Sequence, residues 1–256
     1  MRSPAPREIQ SLQNPWIKEI RRAVRKGAPT EEGWLVVEGR SLCEEAKQAG
    51  WRAVAAFTSG QIEEPGKEAL GKEAPEATRV PTALMKELSS LDHPAGWIAL
   101  MEAPPREPWE IQQEDLVLVL DGIQDPGNAG TLLRSAEAFG VAGVIALRGT
   151  VELFSPKVIR ASAGSIFRIP VRRQCQWEDL HFPAGFPLYA AMPSGGKRPS
   201  KVDWRRGGAI LIGNEGAGVS RELAALAQPL TIPTHSVESL NAAVAGAILL
   251  YEATRR

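Results

Sequence analysis

Three short segments of the 256-residue chain carry residue types that could do chemistry on a bound ligand. The first is Leu116–Gly140, LVLVLDGIQDPGNAGTLLRSAEAFG. An apolar run ends in Asp-Gly, and a loop holds Pro126, Gly127, Asn128 and Gly130. Arg134 sits on the helix that follows. Glycines at such a junction let backbone approach a ligand closely, and open α/β sheets bind ligands where strands end. The second segment, Ala209–Ser220 (AILIGNEGAGVS), again runs an apolar strand into glycines, with Glu215 among them. An acid there can cap a helix or orient a cation. The third, Leu230–Glu252 (LTIPTHSVESLNAAVAGAILLYE), passes from a short strand through Pro233 and a polar loop to Ser239-Leu240-Asn241 at a helix start. Each segment alone fits an ordinary structural turn. The first lacks the Lys-Ser/Thr of a phosphate loop and the G-x-G-x-x-G of a dinucleotide site.

The elements that must position these segments fall into two regions. Residues 1–102 hold an amphipathic helix over Ile9–Arg25 and a strand at Trp34–Val37. A helix over Ser41–Ala49 and strands at Ala53–Thr58 and Trp97–Met101 complete a small α/β unit. Residues 61–78, rich in Glu, Lys, Pro and Gly, read as a surface excursion. Residues 103–113 (APPREPWEIQQ) read as a linker stiffened by three prolines. Residues 114–256 alternate strand and helix. Strands are expected at Leu116–Leu120, Val144–Ala146, Leu188–Ala191, Gly208–Ile212 and Leu230–Ile232. Helices are expected at Thr131–Phe139, Lys157–Ala163, Arg221–Leu226 and Leu240–Arg255. Continuous apolar strands alternating with helices imply a doubly wound parallel sheet.

Composition narrows the class. Hydrophobic residues at 43% and charged residues at 23% suit a globular protein with its own core. Two cysteines, Cys43 and Cys175, make neither a disulfide framework nor a metal knuckle, so no metal is expected. No signal-peptide core or membrane-length apolar run is seen, which predicts a cytoplasmic protein. Net charge is zero, from 30 basic and 30 acidic residues. Basic residues nevertheless cluster. Residues 1–30 hold seven Lys or Arg against two Glu, and Phe154–Trp177 holds five Lys or Arg and no acid. Such patches can attract a polyanion, although solvated faces look the same.

Taken together, the three segments resemble the SpoU family of RNA ribose 2′-O-methyltransferases, of the SPOUT superfamily. The resemblance rests on N-x-G-x-x-x-R at Asn128–Gly130–Arg134, I-G-N-E-G-x-G at Ile212–Gly218 and I-P…S-L-N at Ile232–Asn241, in that order. Phe154–Val171 fits as well. Residues 9–101, through Ser11–Arg22 and Trp34–Gly39, are more loosely similar to the small ribosomal-protein-like RNA-binding domain that precedes many members.

The resemblance implies an α/β fold with a C-terminal trefoil-knotted methyltransferase domain behind a smaller N-terminal α/β RNA-binding domain, and a homodimer. It implies S-adenosylmethionine held by Gly213, Ile232, Leu240, Leu211, Asn214, Gly216 and Ala190, with Ala191 lining the same pocket. Arg134 would be the central catalytic residue, oriented by Asn128 and Glu215, with Ser239 and Asn241 completing the hydrogen-bond set. The resemblance implies that Arg134 activates the hydroxyl, but a guanidinium does not ordinarily give up its proton, so a literal base role would need a strongly perturbed pKa. Stabilisation of a developing alkoxide, or a grip on the adjacent phosphate, is therefore the expected role. Arg21, Arg22, Arg25, Lys26, Lys157 and Arg160 are candidate RNA contacts. Pro233–Glu238 is shorter than the family pattern, and His235 within it is expected at the surface.

Ribosomal RNA of the large subunit (23S) is the favoured substrate, and transfer RNA the alternative. A non-catalytic RNA-binding or ribosome-assembly protein is the rival from another class, opposed by the intact Asn128, Arg134, Glu215 and Ser239-Leu240-Asn241. A nicotinamide oxidoreductase is opposed by the missing G-x-G-x-x-G.

Overall fold

A computed structural model describes residues 5–59, 70–71 and 74–255. It divides into two compact units. The first comprises residues 1–106 with 154–167, and the second comprises residues 107–153 with 168–256. Arg2 and most of the 61–78 excursion lie outside the described residues.

In the first unit, Asn14 accepts a hydrogen bond from Trp16 N, and Pro15 occupies the first turn of helix α1 (Pro15–Lys26). This cap starts the helix six residues later than the apolar spacing from Ile9 suggests. Ile9 instead hydrogen-bonds Arg79 as extended chain. Then come β1 (Leu35–Glu38), α2 (Arg40–Gln48), β2 (Arg52–Ser59), β3 (Thr78–Val80), α3 (Thr82–Leu88) and β4 (Trp97–Glu102). The sheet order is β1-β4-β2-β3, with β4 antiparallel to both neighbours and β2 parallel to β3. α1 and α3 cover one face through Ile17, Ile20 and Leu88, against Phe57, Ile98 and Leu100. α2 packs on β1 and β4.

Sequence spacing groups Phe154–Phe167 with the second region, but the fold packs it into the first unit. Its short helix α5 (Pro156–Ala161) lies against β1. Trp51 explains part of this. Its indole donates to Phe167 O at 3.1 Å, and its ring meets Phe154 and Phe167 edge-on. Glu38 supplies the rest. It is buried and accepts from Ser89, Ser90, the Ala95 amide and Arg160.

The second unit is a six-stranded, fully parallel sheet in the order β10-β8-β9-β5-β6-β7. Its elements are β5 (Leu116–Asp121), α4 (Pro126–Ala138), β6 (Gly143–Leu147), β7 (Val171–Cys175), β8 (Leu188–Ala191), β9 (Gly208–Gly213), α6 (Arg221–Leu226), β10 (Gln228–Leu230) and α7 (Ala242–Thr254). Central strands β5, β6 and β9 are buried throughout except Asp121, as a doubly covered sheet demands. α4 and α7 pack together on one face. Gly246 permits that contact, because a Cβ there would overlap the Leu132 side chain. Ala243, Gly246 and Ala253 of α7 are buried within the chain's own core.

Residues 107–113 do not hang free. Trp109 lies over Gly143, where any Cβ would strike the ring, and Arg172 stacks on the indole. Among the described residues no helix is long and apolar enough to cross a membrane.

Candidate active site

The C-terminal ends of β5 and β9 lie side by side, with Asp121 opposite Gly213. Strand order reverses here, since β5 leads outward to β6 and β7 while β9 leads to β8 and β10. Parallel sheets leave a crevice at such a point.

The Pro-Gly-Asn-Ala-Gly stretch expected as loop is the first turns of α4. Asp125 caps it by accepting from Asn128 N at 2.8 Å, and Pro126 supplies a preset φ at the first position. These signals outweigh the poor helix propensity of Gly127 and Gly130. The helix start fixes Asn128 at its mouth. Asn128 Nδ2 donates to Glu215 Oε1 at 2.9 Å, and Asn128 Oδ1 accepts from Asn241 Nδ2 at 3.0 Å. Asn241 in turn caps α7, its Oδ1 accepting from Ala243 N and Val244 N. The three segments are therefore joined through one amide.

Glu215 also accepts from the amides of Gln124 and Asp125, at 3.3 and 3.2 Å. Burial pushes its carboxyl upward. The Asn128 hydrogen bond and the backbone amides of Glu215, Gln124 and Asp125 together prevail and hold it below its ordinary value. Asn214 pins the turn that carries Glu215. Its Nδ2 donates to Gly122 O, and its Oδ1 accepts from the amides of Gly216 and Ala217. Asp121 accepts from Ser220 N at 2.7 Å, and Thr150 bridges Leu120 O and Gly122 N. Gly122 is at φ +74°, a conformation that glycine adopts without strain. Sequence reasoning missed Asp121, Gln124, Asp125 and Thr150. Only Asp125-Pro126 carries a recognisable signal, that of a helix start.

Beside this network is a cavity of about 330 Å³. Gly213, Asn214 and Gly216 line it, as do Ile232, Ser239 and Leu240. Two of the expected cofactor residues do not. Leu211 and Ala190 are paired across β9 and β8 and point together to the other face, among Phe186 and Leu223. The pleat turns alternate residues to opposite faces, so Ala191, expected beside Ala190, lines the cavity, and Ile212 does so in place of Leu211. Gly213 is required by a close approach: a Cβ there would overlap the backbone of Gly218 and Val219.

The lining suits an adenosyl sulfonium. It is mainly apolar side chain and loop backbone. Its charged members among the described residues are Glu215 and Glu238, with no Lys or Arg to neutralise a phosphate. A dinucleotide lacks its partner here, whereas a cationic ligand has two acids nearby.

Arg134 stands apart. It is exposed on α4 and has no hydrogen bond or ion pair among the described residues. At 3.6 residues per turn, its position lies about 120° around the helix from Asn128. Within one chain, Asn128 and Glu215 therefore bind each other rather than orient Arg134. Ser239 faces the cavity and His235 is exposed, neither with a side-chain partner among the described residues.

The RNA candidates all belong to the first unit and behave differently. Arg21 pairs with Glu87 at 2.9 Å, Arg22 with Glu31, and Arg160 with buried Glu38. Arg25, Lys26 and Lys157 are exposed without such partners. A Cβ on Gly27, which follows Lys26, would touch the Ser155 side chain at 3.6 Å, so the ends of α1 and α5 that carry these cations adjoin.

Most of the chain matches known protein families. Residues 115–251 match the SpoU rRNA Methylase family, and residues 14–99 match the MRM3-like substrate binding domain. The chain is 30% identical to the 23S rRNA guanosine 2′-O-methyltransferase RlmP of Bacillus subtilis, over 96% of this chain and 98% of that one. An AdoMet-bound rRNA methyltransferase of Sinorhizobium meliloti superposes with a TM-score of 0.78 at 30% identity, covering 97% of each chain. The SpoU methyltransferase AviRb of Streptomyces viridochromogenes, solved with AdoMet, gives 0.77 at 26% identity, covering 95% of this chain and 98% of that one. With the first family spanning more than half its length and all three of its motifs joined at Asn128, the chain belongs to the SpoU rRNA methylase family.

Proposed function

We propose that the protein is an S-adenosylmethionine-dependent methyltransferase acting on a ribose 2′-hydroxyl of 23S ribosomal RNA. The carrying observation is the cation-free, glycine-walled cavity set against the Asn128–Glu215–Asn241 chain. RlmP and its large-subunit substrate support the choice of RNA, and so does the match to a substrate-binding domain. The first unit is accordingly the substrate-binding domain and the second the methyltransferase domain, whose C-terminal segment forms the family's trefoil knot.

When bound, S-adenosylmethionine supplies an electrophilic methyl. The protein must align the hydroxyl and help its proton leave. Gly213, Gly216, Ile232 and Leu240 hold the cofactor through backbone and apolar contact, with Asn214 fixing the loop shape. Ser239, at the rim, offers a hydroxyl to the reacting ribose. Arg134 provides positive charge for the developing alkoxide or the adjacent phosphate.

Arg134 reaches its substrate in a cytoplasmic homodimer. Its exposure, its lack of partners and its angle from Asn128 favour action at a site completed by a second subunit. Val244 and Tyr251 of α7 are 47% and 51% exposed, an apolar edge beside α4 suited to a helical dimer interface.

The test is methyl transfer from labelled cofactor to 23S rRNA. Arg134→Ala should lower the rate about 100-fold or more with cofactor affinity unchanged by calorimetry. Mixing it with Asn241→Ala subunits should restore part of the activity. Wild-type-like activity in Arg134→Ala rejects the assignment, and failure of mixing to rescue rejects action across subunits.

A further inference from the structure

The connection from β8 to β9 holds a second charged feature, outside the site described above. Residues 197–206 read KRPSKVDWRR, five basic side chains and one acid in a chain whose overall charge is zero. Asp203 is already used, accepting from Arg205 Nε and a terminal guanidinium nitrogen at 2.8 and 2.9 Å. Lys197, Arg198, Lys201 and Arg206 are exposed and have no ion pair among the described residues. Several exposed arginines elsewhere are neutralised, Arg22 by Glu31, Arg40 by Glu44 and Arg52 by Glu102, whereas Arg25 and Arg134 stand singly among the described residues.

The segment is also held in shape. Gly196 presses on β10, where a Cβ would come within 2.7 Å of the Leu230 carbonyl carbon. Lys197 then extends the sheet edge, its amide donating to Pro229 O and its carbonyl accepting from Thr231 N. Pro199 and Trp204 are buried, the indole donating to Pro199 O at 3.0 Å and packing on Tyr189 at 4.8 Å. The cations project from two short turns tied by that tryptophan. Lys197 and Arg206 line an open cleft of about 410 Å³ with Tyr189, Gln228 and Asp203, the last already bonded to the Arg205 guanidinium. The strip starts four residues after Pro193, which lines the methyl-donor cavity, and runs back along the edge to the start of β9. At about 3.3 Å per strand residue, the three-residue edge strand β10 is about 10 Å high.

We infer that Lys197–Arg206 is a phosphate-contact strip for the substrate RNA, on the methyltransferase unit itself, with Lys197 and Arg206 seating a backbone phosphate in the cleft. This rests on the RNA methyltransferase reading. Preplaced, unneutralised cations release counterions from a polyanion without first breaking ion pairs. Contacts of this kind fix register and carry no sequence preference.

The experiment uses the full-length protein carrying K197Q, R198Q, K201Q and R206Q together, with a 23S rRNA transcript. Loss of four phosphate contacts should flatten the slope of log affinity against log salt by about 3. KM for RNA should rise about tenfold or more, while cofactor affinity and kcat at saturating RNA hold. An unchanged slope and KM overturn the proposal. So does binding of inorganic phosphate that R206Q abolishes while RNA affinity stays the same, which makes the cleft a small-anion site. If the fourfold variant fails to fold, Lys201→Glu alone, on an exposed turn, must still weaken RNA binding. Absence of methyl transfer by the wild type would instead strike the enzymatic reading and leave the salt-slope comparison intact.

Discussion

Asn128 Nδ2 donates to Glu215 Oε1 at 2.9 Å, joining residues 87 apart in sequence. This contact ties the first turn of α4 to the turn after β9, the two segments that face each other at the strand-order reversal. Asn128→Ala removes the donor to Glu215 and the acceptor for Asn241 together. Methyl transfer should fall about 100-fold, the scale of a modest misplacement of reacting groups. The cofactor's dissociation constant should change much less, since Asn128 does not line the cavity. A tenfold loss of cofactor affinity with normal kcat would place Asn128 in the wrong role.

Glu215 makes a prediction about pH. Its folded-state pKa is below the ordinary carboxylate value, despite opposition from burial. Folding therefore favours the charged form. The stabilisation is complete above the unfolded-state pKa and is lost as pH falls through the folded-state value. Thermal melts of wild type and Glu215→Gln should differ by a constant amount above about pH 5 and converge on acidification. A difference that grows toward low pH would show that the sign is wrong.

Much of this site is legible in sequence, and the gaps have physical causes. Buried parallel strands are continuous apolar runs, so β5, β6 and β9 are read from Leu116–Leu120, Val144–Ala146 and Gly208–Ile212 to within one residue at each end. The edge strand β7 is missed because VRRQC is half-exposed and charged. The turn at Gly127–Gly130 looks like loop because glycine content hides a cap and an N-terminal proline. Leu211 and Ala190 are misassigned because a motif fixes which residues are near a cavity, not which way the pleat points them. Candidate RNA contacts mislead for another reason. Arg21, Arg22 and Arg160 look free in a charge count, but their acids come from residues 9 to 122 positions away.

Arg160 follows from that last point. It is the cation beside Glu38, whose side chain is 3% exposed and whose other partners are hydroxyls and amides. Arg160→Ala leaves that carboxylate without its charged partner. Stability should drop by about 1–3 kcal/mol, read by urea denaturation, with little change in the salt dependence of RNA binding. Replacing exposed Lys157 by Ala should do the reverse. If Arg160→Ala instead flattens the salt slope and leaves stability alone, its side chain contacts RNA.

Gly213 provides the sharpest steric test. It ends β9, and the Asn214–Gly218 turn folds back so closely that a Cβ would overlap the Gly218 carbonyl and the Val219 amide nitrogen. These are backbone atoms, with no flexible side chain to move aside. Gly213→Ala must open the turn, which pulls Asn214 away from the Gly122 carbonyl and shifts Glu215 away from Asn128. Overpacking of this kind costs about 1–3 kcal/mol, and the cavity loses its wall. Calorimetry should show cofactor binding reduced by about tenfold or more, with methyl transfer falling in parallel. Gly216→Ala is the control, because a Cβ there meets only Asn214 Oδ1 at 3.6 Å, an ordinary contact. Equal losses in both variants would mean that chemistry at the loop, not the close approach at Gly213, determines cofactor binding.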